Sequence, residues 1–482
     1  MFKYAPSLVM IALTASLSGC LTKEPQDTKV TINKNPYPST YQPLPQKNIL
    51  IKNTTVLIGT GERIDNADVL FVNGKIKQVG KNLSAENAQV INGAGKWVTP
   101  GIVDVHSHLG VYPSPSFESN EDGNEMTNPN TSRVWAEHSV WPQDPGFNTA
   151  RAGGVTTLQI LPGSANLFGG RGVTLKNVPS VTMQGMKFPD APYGLKMACG
   201  ENPKRVYGSK HVAPSTRMGN MAGYREAWAK AVEYKRAWEK YDADYAAGKN
   251  PKAPKRDLTL DTLRGVLEGE ILIQNHCYKA EEMAMMIDLG KEFHYNSGTF
   301  HHAIEAYKIA DLLAQNGNCV AMWPDWWGFK MEAYDMVQEN AAIVDAVKNS
   351  CAIVHSDSGK TIQRLNQEAG KIMYRADDHG FDLKPKDAIR WITLNAAKAI
   401  GLTNSIGSLE KGKNADVVIW NQNPFSVYAH AEQVFIDGAK VFDFNDKAYQ
   451  AQSDFLVGQA MPKASKQRLA SKPSTAAIAS AQ

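Results

Sequence analysis

The chain has 482 residues, of which 43% are hydrophobic and 21% are charged. This length exceeds that of one ordinary compact domain unless the domain is a large α/β barrel, and the composition is typical of a soluble globular enzyme. The formal net charge is only +4, and the lysines and arginines are scattered rather than clustered. The charge pattern therefore argues against a nucleic-acid partner.

The first twenty residues have the layout of a secretory signal. Lys3 precedes an apolar run at residues 8–17 that is too short to span a bilayer, and Cys20 ends the tetrapeptide LSGC. This tetrapeptide resembles the lipobox of bacterial lipoproteins, whose cysteine is lipidated after cleavage; a plain signal peptide is the alternative. Because Leu21 rather than aspartate follows the cysteine, the resemblance implies an exported protein with a lipid anchor in the bacterial outer membrane, facing the periplasm.

Two flanking segments differ in composition from the rest of the chain. Residues 21–47 contain many prolines and few aliphatic side chains, which predicts an extended tether. Residues 460–482 are similarly biased and predict a disordered tail.

Four cysteines follow Cys20 and lie in or beside apolar runs without forming a C-x-x-C pair. We expect these side chains to be free core thiols rather than disulfides or zinc ligands. They are Cys199, Cys277, Cys319 and Cys351.

Short β-type runs separated by turns occupy residues 48–97, and similar runs return at residues 405–447. Asn73 and Gly74 stand between two such runs, which predicts a β-hairpin. We expect one small β-sandwich domain assembled from these N- and C-terminal segments.

Residues 98–404 alternate buried-type strands with helical segments, which predicts a parallel sheet closed into a (β/α)₈ TIM-like barrel. The segment EFHYNSG at residues 292–298 is interpreted as one of these strands, and the glycines at residues 169–172 resemble a ligand-cradling turn. Two insertions interrupt the pattern: a polar one at residues 111–147 and a highly charged helix at residues 220–248. Such loops commonly shape substrate specificity.

Potential metal ligands recur at the predicted C-terminal ends of four barrel strands, where barrel enzymes build their active sites. His106 and His108 project from the same strand face because residues i and i+2 share a face. This H-x-H pair is weak evidence alone, but His276 ends EILIQNH, His302 follows a strand-like segment, and Asp357 ends CAIVHSD. The series predicts a site for one or two divalent metal ions, with Zn²⁺ the leading candidate and Mn²⁺, Co²⁺ or Fe²⁺ as alternatives.

Three segments carry a family resemblance. WVTPGIVDVHSH at residues 97–108 resembles the first barrel strand of the amidohydrolase superfamily. HAIEAYKIADLLAQNG at residues 302–317 resembles the sixth-strand histidine and helix of its imidazolonepropionase-like members, and residues 387–424 are similar to the closing helix and return to the β domain of that group. The resemblance covers residues 48–445 and implies a (β/α)₈ barrel with a split β-sandwich.

The resemblance also implies roles for the predicted ligands. His106 and His108 would bind one metal, His276 and His302 the other, and Asp357 would bind metal and handle the proton. A divalent metal lowers the pKa of its bound water towards about 7. Asp357 would then take the proton of the attacking water and deliver it to the leaving amine.

The bridging ligand is the open question of this site. Binuclear members of the superfamily bridge their metals with a carboxylated lysine or, less often, a glutamate on the fourth strand. Lys196 is a lone cation in an apolar strand and fits the lysine position, whereas Glu201 stands where the strand opens into a loop. If Lys196 only forms a salt bridge and Glu201 only caps a turn, a mononuclear site of the deaminase type follows.

Five further residues surround these candidates. Asn202, Lys204 and Arg205 follow the fourth strand and are candidates for binding a substrate carboxylate; solvated loop charge is the alternative. His301 and His355 flank ligand candidates, so strand alternation is expected to turn them away from the metals, although His355 could reach the mouth from a loop.

The leading hypothesis is an exported, metal-dependent hydrolase that cleaves an amide or other C–N bond in a small peptide-like or N-acyl amino acid substrate. One rival is a mononuclear deaminase or cyclic-imide hydrolase on the same fold. A second is a non-catalytic surface binding protein that uses the same scaffold. An oligomer is compatible with the sequence.

Overall fold

The computed structural model describes residues 28–449. The predicted signal segment, Cys20 and the predicted tail at residues 460–482 lie outside the described residues, so the expectations for them stay predictions. None of the helices in the described range is both long and apolar enough to cross a membrane.

Within residues 28–449 the structure has sixteen β-strands and ten α-helices. The strands, in chain order, are β1 (Ile49–Leu57), β2 (Arg63–Val72), β3 (Lys75–Gly80), β4 (Gln89–Asn92), β5 (Trp97–Pro100), β6 (Ile102–Ser107), β7 (Val155–Ile160), β8 (Phe168–Lys176), β9 (Tyr193–Ala198), β10 (Ile271–Cys277), β11 (Thr299–His302), β12 (Cys319–Met322), β13 (Ala352–Val354), β14 (Val417–Trp420), β15 (Ala431–Ile436) and β16 (Ala439–Asp443). The helices are α1 (Pro145–Ala152), α2 (Glu201–Gly208), α3 (Arg217–Ala246), α4 (Leu258–Leu267), α5 (Ala280–Phe293), α6 (Ala310–Gln315), α7 (Asn340–Asp345), α8 (Leu365–Asp378), α9 (Pro385–Ala388) and α10 (Leu394–Ala399).

Strands from both ends of the chain share one sheet. In the described range its order is β16-β15-β14-β5-β1-β2-β3, with β4 paired to β1. The antiparallel pairing of β5 with β14 joins the two chain segments. Asn73 and Gly74 have φ angles of 49° and 74°, as a two-residue hairpin turn requires, and they connect the antiparallel strands β2 and β3. The predicted hairpin is thus confirmed.

The second sheet carries the candidate site. Its order is β13-β12-β11-β10-β9-β8-β7-β6. The amide of Asp357, just beyond β13, donates to the carbonyl of His106 on β6 at 3.0 Å, and the amide of Ser356 donates to Asp104 Oδ1 at 3.2 Å. The sheet therefore curls until its two edges approach each other. This mixed α/β architecture fits a TIM-like barrel.

The expectation of an all-parallel barrel sheet is wrong at β8. This strand runs antiparallel to both β7 and β9, and it contains the glycines whose cluster resembles a ligand-cradling turn in the sequence. A side chain at Gly170, whose φ is +120°, would lie 2.5 Å from the carbonyl oxygen of Val134. The glycines thus let a segment of the 111–147 insertion pack against β8, where Trp135 forms a bridge with Arg171.

The strand predicted at residues 292–298 is also wrong. Helix α5 continues to Phe293 and ends at His294, which adopts the left-handed conformation. The strand β11 begins only after Gly298, where an added Cβ would lie 2.1 Å from the carbonyl oxygen of Ile273. His302 is therefore the last residue of a short buried strand, and it does not follow a longer one.

The described part of the predicted tether contacts the folded domains. Residues 28–48 contain neither helix nor strand. The amide of Val30 donates to the hydroxyl of Tyr241 at 2.8 Å, and the hydroxyl of Tyr41 donates to Asp437 Oδ2 at 2.7 Å. The predicted charged helix at residues 220–248 corresponds to α3.

The expectation of free thiols is wrong. Disulfides join Cys199 to Cys277 and Cys319 to Cys351, with Cα–Cα distances of 5.2 and 4.5 Å. Each bond links a barrel strand or its end to the neighbouring strand, across sequence separations of 78 and 32 residues. Linear spacing hides this proximity, because only the pairing of neighbouring strands brings the cysteines together.

We predict that non-reducing peptide mapping will recover these two cross-linked pairs. Replacing Cys199 and Cys277 together by alanine should lower the free energy of unfolding by about 2–4 kcal/mol, because the longer loop loses its cross-link in the unfolded chain. Denaturant titration measures this loss, and the Cys319→Ala, Cys351→Ala variant should lose less. Recovery of all four peptides as free thiols would contradict the assignment.

Candidate metal centre

The predicted ligands meet in one cavity of about 420 Å³ at the C-terminal ends of the barrel strands. Imidazole, carboxylate, amine and amide groups line it, together with two aromatic rings. The lining residues are His106, His108, Ser164, Lys196, Glu201, Asn202, Arg205, His276, Tyr278, His302, Phe329, Lys330 and Asp357.

A chain of hydrogen bonds beneath the cavity sets the tautomer of His106. Gln274 Nε2 donates to the carbonyl of Ala399 at 3.1 Å, so its Oε1 must accept from His301 Nε2, which lies 2.7 Å away. His301 Nδ1 then accepts from His106 Nδ1 at 3.0 Å. A neutral imidazole carries one N–H, and His106 therefore turns the lone pair of Nε2 towards the cavity.

His108 and Asp357 complete the first group of candidate ligands. His108 Nδ1 donates to the carbonyl of Leu161 at 2.8 Å, which leaves Nε2 with its lone pair. Asp357 Oδ1 lies 3.0 Å from this Nε2 and 3.4 Å from His106 Nε2. Burial raises the pKa of Asp357, but the neighbouring His108, His355 and Lys196 outweigh it and hold the pKa below its usual value.

His276 and His302 form the second group. Their ring centroids are 4.5 Å apart, and His302 stacks on Trp323 at 4.2 Å. His302 Nδ1 is buried without a hydrogen bond in the described range and lies 3.9 Å from Asp357 Oδ2. Burial lowers the pKa of both histidines well below the usual value, so both rings are neutral, as metal ligation requires.

Strand alternation predicts that His301 and His355 turn away from the metals, and neither lines the cavity, but both contact His106. His301 supports His106 from below, through the bond described above. His355 stacks on His106, with ring centroids 5.1 Å apart and an interplanar angle of 18°, and neither of its ring nitrogens has a hydrogen-bond partner in the described range. The regular alternation of side-chain directions fails here because β11 and β13 are short and the chain bends directly after them.

Lys196 lies inside the ligand cluster, whereas Glu201 lies at its rim. Lys196 Nζ donates to His106 Nε2 at 2.8 Å, and burial lowers the pKa of this lysine to about 7. Glu201 is the first residue of α2, and its Oε1 lies 3.9 Å from Lys330 Nζ. Both residues line the cavity, but the lysine contacts a candidate ligand directly.

The amide of Asn202 has a defined orientation at the cavity wall. Lys330 Nζ donates to Asn202 Oδ1 at 3.2 Å, and because an ammonium group has no acceptor, this contact assigns the oxygen. Asn202 Nδ2 donates to Ser164 Oγ at 2.9 Å and lies 3.4 Å from His276 Nε2. An N–H donor thus faces the second group of candidate ligands.

The predicted carboxylate-binding residues divide between the cavity and the surface. Asn202 and Arg205 line the cavity, whereas Lys204 does not. Sequence reasoning missed Lys330 and Tyr278, which also line it; Lys330 Nζ lies 4.0 Å above the ring of Tyr278. Tyr278 stands two residues after His276, a spacing that could have suggested its place. No comparable signal marked Lys330, which belongs to an irregular loop.

The donor set fits a divalent cation. His106, His108 and Asp357 offer ligand atoms that all lie within 4.8 Å of one another, and so do His106, His302 and His355. Neutral imidazoles and a carboxylate are ligands that Zn²⁺ accepts. A cation would also satisfy the buried Nδ1 of His302, which lacks a partner among the described residues.

A curled barrel sheet with histidines and an aspartate at its strand ends defines a hydrolase-type site. Comparison with known proteins agrees. A family model described as the amidohydrolase family matches residues 265–447. An amidohydrolase of known structure from Thermotoga maritima MSB8 is 35% identical, with a TM-score of 0.74, over 82% of this chain and 100% of that one. This chain belongs to the amidohydrolase family, and it is a hydrolytic enzyme that acts on C–N bonds.

The curated relatives are longer than the aligned region. Amidohydrolase tasK from Hapsidospora irregularis is 31% identical over 396 residues, which cover 78% of this chain but only 40% of that protein. A dihydroorotase from Caldicellulosiruptor saccharolyticus is 32% identical over 116 residues, which are 24% of this chain and 22% of that enzyme. The prediction of an enzyme is confirmed, and the alternative prediction of a non-catalytic binding protein is wrong.

The hydrogen-bond chain beneath His106 generates a prediction. The Gln274→Leu variant should bind Zn²⁺ roughly 10–100-fold more weakly, because His301 loses the acceptor that fixes both tautomers. Competition with a chelator measures the affinity. The exposed His138 supplies the control, since it does not line the metal cavity; unchanged affinity in Gln274→Leu would contradict the tautomer argument.

Proposed function

We propose that this enzyme is a metal-dependent hydrolase that cleaves an amide bond in a peptide-like or N-acyl amino acid substrate. One observation carries the proposal: Asp357 Oδ1 lies 3.0 Å from His108 Nε2 and 3.4 Å from His106 Nε2. Both imidazoles turn lone pairs to the same point, where a cation would sit.

We assign the ligands in two groups. His106, His108 and Asp357 would hold one ion, and His276 and His302 would hold the other. Lys196 would bridge the two as a carboxylated lysine, a role supported by its burial and its contact with His106. Glu201 remains the alternative bridge from the rim of the cavity.

Metal ions held by these residues would supply Lewis-acid chemistry, which acidifies water and polarises a carbonyl group. The protein's own groups move the proton. Asp357 takes the proton of the attacking water and donates it to the leaving nitrogen as the C–N bond breaks. Asn202 Nδ2, which Lys330 and Ser164 hold in place, donates to the carbonyl oxygen as negative charge develops there.

The mouth of the cavity supports a substrate that carries a carboxylate. Arg205 and Lys330 both line the cavity. The Lys330 side chain is 15% exposed, and its Nζ also lies 3.5 Å from Glu332 Oε2 and 3.9 Å from Glu201 Oε1. Two cations beside an amide-cleaving centre suit a dipeptide or an N-acyl amino acid, whose carboxylate lies close to the scissile bond. Phe329 and Tyr278 add an aromatic wall for an apolar side chain.

A mononuclear deaminase or cyclic-imide hydrolase is the second candidate. Lys196 bonds directly to His106 without modification, which suits a site with one ion. A 5-methylthioadenosine/S-adenosylhomocysteine deaminase from Thermococcus onnurineus is 33% identical over 97 residues, 20% of this chain. The products separate the candidates, because a deaminase releases ammonia and an amidohydrolase of acyl amino acids releases a carboxylate and an amine.

Export and lipid anchoring at Cys20 remain part of the proposal, as does membership of the imidazolonepropionase-like subgroup. The two disulfides support export, because such bonds persist in oxidising compartments. We also propose that the sheet built from both chain ends packs as the predicted β-sandwich.

Detergent partition of the exported protein, compared with a Cys20→Ala variant, tests the lipid anchor at Cys20. A Cys20→Ala variant that still partitions into detergent would refute the anchor.

The Asp357→Asn variant should lose turnover by roughly 10²–10⁴-fold on any substrate found by screening dipeptides and N-acyl amino acids. Asparagine keeps the size of the side chain but cannot accept the proton. Steady-state kinetics measure the loss, and metal analysis should show that the ions are retained in part. Full turnover by this variant would refute the proton role.

Lys330→Met should raise KM for carboxylate-bearing amides about tenfold or more, because one charged hydrogen bond is lost. The same variant should change KM little for the matching substrate whose carboxylate is amidated. Lys204 gives the control, since it lies in α2 two residues from Asn202 but does not line the cavity. Equal effects of Lys330→Met and Lys204→Met would oppose a carboxylate site at Lys330.

A further inference from the structure

A second cavity, of about 520 Å³, lies away from the metal centre. Tyr193 and Ile271, the first residues of β9 and β10, line it, so it stands at the N-terminal ends of these strands. The candidate ligands stand at the opposite, C-terminal ends. Residues 32–37 and residues from α4 form its other walls.

Arg171 is a buried cation that faces this cavity without an ion pair. Its exposure is 6%, and its Nε donates to Thr262 Oγ1 at 2.8 Å. The Nη groups have no hydrogen bond or salt bridge to the residues at 28–449. The guanidinium lies 4.2 Å above the ring of Trp135 and 5.5 Å from that of Tyr193. Stacking leaves the N–H edge of the guanidinium open, and a buried charge without a counter-ion is costly.

Arg133 lines the same cavity and also has no ion pair in the part of the chain that the structure describes. The three other long cations of the cavity are neutralised. Their pairs are Lys34 with Glu268 and Glu270, Arg256 with Asp261, and Arg264 with Glu268.

Two nearby carboxylates do not neutralise the arginines. Glu137 is occupied by Lys187, at 2.7 Å. Asp190 lines the cavity but is exposed and forms no salt bridge within residues 28–449. Positive charge is therefore left over at Arg133 and Arg171, beside aromatic rings. Burial also lowers the pKa of Arg171 to about 10, a direction that a bound anion would oppose.

We propose that this cavity binds a small organic anion whose carboxylate or phosphate group is held by Arg171 and Arg133. The planar guanidinium presents two parallel N–H groups to either oxyanion. Trp135 and Tyr37, whose rings meet edge to face at 5.8 Å, form a wall for the apolar part of the ligand. This site is separate from the metal centre and does not depend on the proposed reaction.

Isothermal titration calorimetry of the full chain, at constant ionic strength, tests the site with two probes: inorganic phosphate and benzoate. Saturable binding of at least one probe is expected. Arg171→Gln should weaken it tenfold or more, and Arg133→Gln several-fold, because each removes a charged donor. Arg225→Gln is the control: this exposed arginine pairs with Glu292 and does not line the cavity.

The outcomes distinguish a phosphate ligand from a carboxylate ligand, and they also decide whether the site exists. Binding of phosphate alone assigns a phosphate ligand, and binding of benzoate alone assigns a carboxylate ligand. Arg171 also packs against two rings, so circular dichroism must show that Arg171→Gln is folded; if it is not, the exposed Arg133→Gln decides. The absence of saturable binding, or binding that the arginine variants leave unchanged, would overturn the proposal.

Discussion

The direction of one lone pair governs the metal centre. The carbonyl of Ala399 orients Gln274, Gln274 orients His301, and His301 orients His106, each through a hydrogen bond of 3.1 Å or less. The carbonyl of Leu161 does the same for His108. Because both Nε2 lone pairs then face Asp357, the site is arranged for a cation before any cation binds. Without these bonds each buried imidazole could carry its proton on either ring nitrogen, and the lone pairs would have no fixed direction.

The curled sheet makes this arrangement possible. Asp357 belongs to the far edge of the sheet and reaches His106 only because the backbone beyond β13 bonds to β6. The disulfide between Cys199 and Cys277 ties the ends of β9 and β10, which carry Lys196 and His276. Two strand ends that each provide a candidate ligand are thus covalently held together.

Sequence alone predicted the class of fold and the residues that meet in the cavity, because strand-end histidines keep a regular spacing from the apolar runs before them. It failed where the information is not local. The strand β8 was missed because its glycines, needed for contact with the insertion, resemble a turn. The disulfides were missed because their partners are 78 and 32 residues apart. The position of His301 was misjudged because side-chain directions do not alternate regularly on a strand as short as β11. Lys330 was missed because it belongs to an irregular loop, which has no periodic pattern.

Anomalous diffraction from crystals of the Zn²⁺-loaded protein, at the zinc absorption edge, shows directly whether these residues hold two metal ions. Two peaks roughly 3.5–4 Å apart are expected at the C-terminal ends of the strands. One should lie about 2.0–2.1 Å from the Nε2 atoms of His106 and His108, and the other should contact His276 and His302. A single peak would contradict the two-metal assignment, and no peak in this cavity would contradict the metal centre itself.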